Sequence, residues 1–370
     1  MKLLSQLNKE ALQGKTVLLR AGLNLPLDDN GVIVDDFRIR QALPTIKYLA
    51  RHCKQLIIIA HMGRAREASL AIVAKELQKH LPDLHFVSWQ EEASDHNLVL
   101  MENLRQDPRE TSLEGGDRDA YARELVEMGR ADIFVQDAFS VCHRQHASIT
   151  SIPKLLPSYA GLLIEREVQE LGKALNPQSP SVFILGGAKF ATKEPLIRKF
   201  LTLYDNIFIG GAIANEFFKA RGYEVGQSLV HDGKIPHDIL YNERIILPST
   251  VRVADSDGHT VYVKPQEVMP NMRIVDAVPP SDLLSVNGID ARFVLWNGSL
   301  GYYEGGFSEG TDALLKILEG SSASIVTGGG DTLATVGAGR RDIFTHISAG
   351  GGAMLTYLQE GSLVGLTVLE

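Results

Sequence analysis

Long apolar runs are missing from this 370-residue chain. No stretch approaches the roughly 18–20 residues that a membrane-spanning helix requires, so a membrane partner is not expected. The start, Met1-Lys2-Leu3-Leu4-Ser5-Gln6-Leu7-Asn8, lacks the apolar core of an export signal. Cysteine is scarce: Cys53 and Cys142 cannot build a disulfide framework, and reduced thiols in a cytoplasmic protein are the expectation. Positive charge is in deficit, with 37 Lys and Arg against 45 Asp and Glu and a net charge of −8. Nucleic acid selects basic surfaces, so it is not an expected partner. Any anionic ligand must instead be held by a local cluster of cations. No Gly-x-Gly-x-x-Gly follows the first strand, which argues against dinucleotide chemistry, and the P-loop with its adjacent Gly-Lys-Ser/Thr is also absent. No nucleophile elbow and no paired cysteine–histidine signature argue for covalent catalysis.

What is present is alternation. At 40.5 kDa the chain exceeds what one hydrophobic core usually serves, so two domains are expected. Short β-rich runs fall at Thr16–Leu19, Gln55–Ala60, Asn97–Met101, Asp132–Val135, Ser181–Leu185, Asn206–Ile209, Arg292–Leu295 and Ser324–Thr327. Most are continuously apolar, as parallel strands covered on both faces should be. Helical patterns lie between them, at Arg38–His52, Ser69–His80, Asp117–Gly129 and Lys193–Leu203. This is the pattern of a doubly wound α/β fold. Pro153–Pro180 interrupts it: a charged helical stretch, Leu162–Leu175, flanked by prolines reads as a connecting helix. The expected organisation is an N-terminal domain over 1–160, a helix and linker over 161–178, and a C-terminal domain over 179–355.

Open α/β sheets bind ligands beyond the carboxyl ends of their strands. In the first half those tips are basic and polar: Arg20 and Asn24, His61 and Arg64, Asn103 and Arg105, His143 and Arg144. In the second half they are glycine-rich: Gly186-Gly187-Ala188-Lys189, Gly210-Gly211, Asn297-Gly298, Gly328-Gly329-Gly330-Asp331-Thr332 and Gly350-Gly351-Gly352. Guanidinium groups grip phosphate and carboxylate in bidentate fashion, which suits a small, multiply charged anion. Glycines at strand-to-helix turns let backbone N–H groups approach a polyphosphate. A basic pocket and a nucleotide pocket on either side of a hinge make the layout of a phosphoryl-transfer enzyme.

Ten segments in order make the comparison specific. They include Arg20-Ala21-Gly22-Leu23-Asn24-Leu25-Pro26, Arg38-Ile39-Arg40, His61-Met62-Gly63-Arg64, Glu102-Asn103-Leu104-Arg105 and Asp137-Ala138-Phe139. His143-Arg144-Gln145-His146-Ala147-Ser148, Leu185-Gly186-Gly187-Ala188-Lys189, Leu295-Trp296-Asn297-Gly298, Gly328-Gly329-Gly330-Asp331-Thr332 and Ile347-Ser348-Ala349-Gly350-Gly351-Gly352 complete them. From about Val17 onward the chain resembles the phosphoglycerate kinase family. The resemblance implies two Rossmann-like parallel-sheet domains joined by a hinge helix, with a C-terminal tail of about 356–370 packing back on the first. It implies reversible phosphoryl transfer from 1,3-bisphosphoglycerate to ADP with Mg2+, giving 3-phosphoglycerate and ATP, by a cytoplasmic monomer. Asn24, Arg38, His61, Arg64, Arg105 and Arg144 would hold the phosphoglycerate, and Arg38 and Lys189 would be catalytic. Gly187, Lys193, Gly210, Gly211, Asn297, Gly298, Glu304, Gly328, Gly329, Gly330, Asp331 and Thr332 would hold the nucleotide, with Asp331 at the metal.

Some positions depart from the family pattern. Gly22 stands where an Asp that touches the glycerate hydroxyl is usual. Ser140-Val141 replaces Gly-Thr, Ser299 a Pro, Ala349 a Thr, and Thr250 a common Asp; the chain is also short for the family. Gly22 leaves open a related kinase acting on another acyl phosphate, or a weakened relative that only binds nucleotide. Retention of the expected Arg and Lys residues favours an active enzyme.

Overall fold

A computed structural model of the chain describes residues 1–63, 66–89, 96–231 and 233–370. They fall into two compact units, Met1–Gln169 with Glu360–Glu370, and Glu170–Gln359.

Unit 1 is built on one six-stranded parallel sheet. Its strands are β1 Thr16–Ala21, β2 Gln55–Ile59, β3 His85–Val87, β4 Leu98–Met101, β5 Ile133–Asp137 and β6 Ser158–Ala160, in the order β3-β4-β2-β1-β5-β6. All six residues of β1 are buried, because both faces of the sheet are covered. Successive side chains feed opposite layers. Leu19, Ile58, Leu100 and Val135 join one core, whereas Leu18, Ile57, Val99 and Phe134 join the other. The helices are α1 Phe37–His52, α2 Ala71–Gln78, α3 Gly115–Gly129 and the first part of α4 Leu162–Leu175, within which the first unit ends at Gln169. In α1, Phe37, Ile39, Ala42, Leu43, Ile46 and Leu49 are buried at three- and four-residue spacing, an apolar stripe that seats the helix on the sheet. The start of α4 is fixed by Asp137 at the end of β5, whose Oδ1 accepts from Leu163 N (3.0 Å) and Ile164 N (3.2 Å).

Unit 2 holds β7 Ser181–Leu185, β8 Asn206–Ile209, β9 Ile245–Ile246, β10 Thr250–Ala254, β11 Thr260–Val263, β12 Arg273–Val278, β13 Ser285–Val286, β14 Ile289–Asp290, β15 Phe293–Asn297, β16 Ser324–Gly328 and β17 His346–Ser348. Its parallel sheet has the order β17-β16-β15-β7-β8-β9; β11-β10-β12 form an antiparallel sheet and β13-β14 a short pair. The helices are α5 Glu194–Phe200, α6 Gly211–Ala220, α7 His237–Leu240, α8 Glu309–Glu319, α9 Gly330–Val336 and α10 Gly352–Glu360. The tail, with α11 Val364–Thr367, belongs to unit 1, where Gly365 N donates to Cys142 O at 2.8 Å and Lys2 N to Leu369 O at 2.8 Å.

Each of the eight expected strands is present, and β1 and β5 run two residues further than expected, to Ala21 and Asp137. That extension changes the place of Arg20. It is not a tip residue but a member of β1, 0% exposed.

Candidate functional site

In unit 1 the carboxyl ends of β1, β2, β4 and β5 carry a cluster of cationic and imidazole side chains. Arg20 is turned inward: Nε donates to Ser148 Oγ (3.0 Å), Nη1 to Ala21 O (2.6 Å) and Nη2 to His61 Nδ1 (2.8 Å). Burial pulls the Arg20 pKa down to about 10, opposed by buried Glu110, so the guanidinium remains charged at neutral pH. His61, directly after β2, is 3% exposed. Burial, then the charges of Arg20 and Arg105, keep its pKa well below the usual histidine value.

The segment that follows His61 is laced to the tip of β4. Buried Asn103 accepts from Met62 N (3.2 Å) and Arg105 N (3.1 Å), and donates to Met62 O (3.0 Å) and Ala68 O (2.8 Å). Arg105 Nη1 donates to Gly63 O, and Asn24 Oδ1 accepts from Gly63 N at 2.8 Å. Asn24, His61 and Arg105 are therefore joined through one backbone segment. Arg64 lies outside the described residues. Arg38, in the first turn of α1, donates to Ser140 Oγ at 3.2 Å. Its pKa is lowered by burial and supported by Glu167. Arg144 is exposed and donates through Nε to His143 Nε2 at 3.2 Å. Ser140, one of the departures, thus has a structural role: its hydroxyl seats Arg38.

Unit 2 places backbone where unit 1 places side chains. The turns after β7, β8 and β15 pack glycine on glycine. A Cβ at Gly211, whose φ is +61°, would lie 2.7 Å from Gly187 N and O; one at Gly298, φ +95°, would lie 2.5 Å from Gly186 C. Gly210 and Gly329 cap the starts of α6 and α9. Asn297 and Thr332 brace these turns. Asn297 Nδ2 donates to Gly328 O (2.6 Å), while Thr332 Oγ1 accepts from Gly298 N (2.8 Å) and donates to Gly328 O (3.3 Å).

A cavity of about 440 Å³ opens beside these turns, lined among others by Gly187, Gly211, Glu304 and Asp331. Most of the wall was not anticipated, including Asn215 from α6, Leu229, Arg273 from β12 and Tyr302. Only the folded chain brings them together, because no motif joins positions so far apart. Half-buried Lys193 has its pKa lowered by burial and raised by Asp331, which puts that ammonium and carboxylate in electrostatic reach. Lys189 is exposed; the residue after it is anchored by Phe190 N donating to buried Glu216 at 3.0 Å.

Asp331, exposed in the first turn of α9, and Glu304 form an anionic patch on this wall. After burial, they are the next causes of a raised Tyr303 pKa. One carboxylate plus ligand phosphates is the usual donor set for Mg2+, so the residues fit that ion. Among the described residues the one group at metal-ligand spacing is Asp255, Asp257 and His259, in the turn between β10 and β11; none of the three lines the cavity.

Residues 7–361 match the family model described as Phosphoglycerate kinase. Over an alignment 388 positions long the chain is 38% identical to Phosphoglycerate kinase of Roseiflexus sp. (strain RS-1), with 96% of each chain covered. It is 38% identical to that of Streptomyces coelicolor over an alignment 407 positions long, covering all of both chains. Among solved structures it is similar to phosphoglycerate kinase from Coxiella burnetii, with TM-score 0.82, 33% identity, and 99% of this chain and 98% of that one covered. The phosphoglycerate kinase from Pyrococcus horikoshii OT3 gives TM-score 0.85, 27% identity, and coverage of 100% and 98%.

Proposed function

The chain belongs to the phosphoglycerate kinase family, and from that premise we propose how its residues divide the work. It is a phosphotransferase that moves a phosphoryl group between 1,3-bisphosphoglycerate and ADP, giving 3-phosphoglycerate and ATP. Unit 1 takes the phosphoglycerate on Asn24, Arg38, His61, Arg105 and Arg144, with Arg64 assigned by the resemblance alone. Unit 2 takes the nucleotide on the turns at Gly187, Gly210, Gly211, Gly298 and Gly328–Gly330, with Lys193 on its phosphates and Glu304 on the ribose. Asn297 and Thr332 shape those turns through their own hydrogen bonds.

In the forward direction an oxygen of the ADP β-phosphate forms a bond to the transferred phosphorus, while the bond from phosphorus to the acyl oxygen breaks. The electron pair leaves with the carboxylate of 3-phosphoglycerate. An acyl phosphate is already activated, so no covalent intermediate with the protein is needed, and catalysis consists of positioning and charge neutralisation. Lys189 follows the group in flight, where negative charge spreads over three equatorial oxygens, and Arg38 steadies the departing carboxylate. Mg2+, held by Asp331, would neutralise phosphate charge. Cys53 and Cys142 are free thiols, which suits a cytoplasmic enzyme, and one chain carrying both ligand sites suits a monomer.

The observation that carries this reading is the presence, in one chain, of two parallel-sheet units, one with cationic and imidazole side chains at its strand ends and the other with close-packed glycine turns. A coupled assay with 1,3-bisphosphoglycerate and MgADP tests it, with ATP formation expected. Absence of turnover with this pair, alongside turnover with another small acyl phosphate, would overturn the assignment of substrate.

A further inference from the structure

The buried hydrogen bonds beneath the unit 1 cluster run in one direction. Arginine has five donors and no acceptor, so each partner of Arg20 must accept. Ser148 Oγ accepts from Arg20 Nε, and its own proton therefore goes to Glu110 Oε1, 2.6 Å away. Glu110 is 0% exposed and also accepts from Ser148 N at 3.0 Å. At the other end His61 Nδ1 must accept from Arg20 Nη2. A neutral imidazole that accepts at Nδ1 carries its proton on Nε2.

Building on the reading that His61 meets phosphoglycerate, we propose that Glu110 and Ser148 are positioning residues. They act through Arg20 to hold His61 as the neutral Nε2–H tautomer, a donor to a substrate oxygen. Glu110 supplies the negative charge that keeps a buried guanidinium in place, and Ser148 transmits its direction. Without Ser148, Arg20 Nε loses its acceptor and the guanidinium is drawn toward Glu110, releasing His61 Nδ1. The surroundings of His61 favour the neutral form: Arg20 from β1, Arg38 from α1, Arg105 after β4 and His146 after β5 all oppose a positive imidazole, while Glu110 beyond Arg20 balances that arginine.

The test is ¹⁵N NMR of the histidine ring nitrogens in the full-length protein from pH 5.5 to 8, with calorimetric binding of 3-phosphoglycerate. His61 should show an unprotonated Nδ1 and a protonated Nε2 throughout. Ser148→Ala should mix the tautomers and weaken 3-phosphoglycerate by about tenfold, with MgADP affinity unchanged. Ser148→Thr, which keeps the hydroxyl, should restore both. Glu110→Gln, of similar size, should act like Ser148→Ala and serves where that variant fails to fold. An Nδ1–H tautomer, or a titration of His61 within this range, in the parent protein would overturn the proposal without any variant. So would a folded Ser148→Ala with the parent tautomer and affinity. If 3-phosphoglycerate binds but leaves the His61 nitrogens unmoved, the substrate contact fails while the positioning network stands.

Discussion

The two units use the same parallel-sheet frame and finish its strand ends in opposite ways. Unit 1 ends on hydrogen-bonded side chains: Arg20 and His61, both buried with lowered pKa values, together with buried Asn103 and half-buried Arg105. Unit 2 ends on backbone, where glycines approach so closely that a methyl group at Gly211 would collide with Gly187. A small anion of fixed shape can be matched by oriented guanidinium and imidazole groups, at the cost of desolvating them. A flexible polyphosphate is better met by amides at helix starts, at the cost of glycine's conformational entropy. The comparison shows parallel sheets carrying side-chain cations at the strand ends of one unit and glycine turns at those of the other.

Removing Lys189, an exposed cation of unit 2, should have the largest effect. Lys189→Ala is expected to lower kcat by about 10²–10³-fold with little change in MgADP affinity, because its charge is most useful in the transition state. Steady-state kinetics and calorimetry separate the two. Equal losses in rate and binding would make Lys189 a nucleotide anchor and erase its distinction from Lys193.

Next in size is a pH effect from the buried charge of unit 1. Asp137, which caps α4, has its pKa raised to about 7, chiefly by burial, against the helix amides and Thr45 that favour the anion. The folded state binds this proton more tightly than the unfolded chain, where the pKa is about 3.9. The carboxyl therefore stabilises the fold fully below about pH 4, and that contribution is lost as pH rises through about 7. Asp137→Asn keeps an acceptor for the two amides and cannot titrate. The stability of the parent relative to this variant should fall by roughly 2–4 kcal/mol from pH 4 to pH 8, measured by urea unfolding. A constant difference would remove Asp137 as the source.

Much of this contrast was legible before the fold. The buried strands are continuous apolar runs, and their basic or glycine-rich sequels stood out because motif and strand end coincide. The short edge strands β3, β6, β9 and β17 were not legible: two or three residues such as His346-Ile347-Ser348 carry no periodicity. The antiparallel sheet β10–β12 was missed because Thr250–Ala254 and Thr260–Val263 are short and mixed in character, the second of them largely unburied. Arg20 was misplaced because a charged residue reads as the end of an apolar strand; the side-chain partners that satisfy it once buried, Ser148 and His61, and the charge of Glu110 are all distant in sequence. Asn215 and Tyr302 were invisible for a similar reason, being polar or aromatic residues whose role depends on a wall assembled from separate elements.

The smallest expected effect concerns Gly22. Its φ is not in the left-handed region, and a Cβ there would meet Ala138 Cα at 3.6 Å and Ser140 Oγ at 3.9 Å, ordinary contacts. Gly22→Asp should therefore fold without strain. A new acceptor for the glycerate hydroxyl gains about 1.5–3 kcal/mol, much of it offset by repulsion between the carboxylate and an anionic ligand. A tightening of 3-phosphoglycerate of up to about tenfold is expected, with unchanged melting temperature. Weaker binding in a folded variant would mean that Ser140 and Gly22 shape the pocket for a different acid.

The division of ligands between the units is tested most directly by crossed calorimetry. Arg38→Ala and Lys193→Ala would each be titrated with 3-phosphoglycerate and with MgADP. Arg38→Ala should weaken 3-phosphoglycerate by about 1.5–3 kcal/mol and leave MgADP unchanged, and Lys193→Ala should do the reverse. Loss of MgADP affinity in Arg38→Ala, with 3-phosphoglycerate binding intact, would contradict the account.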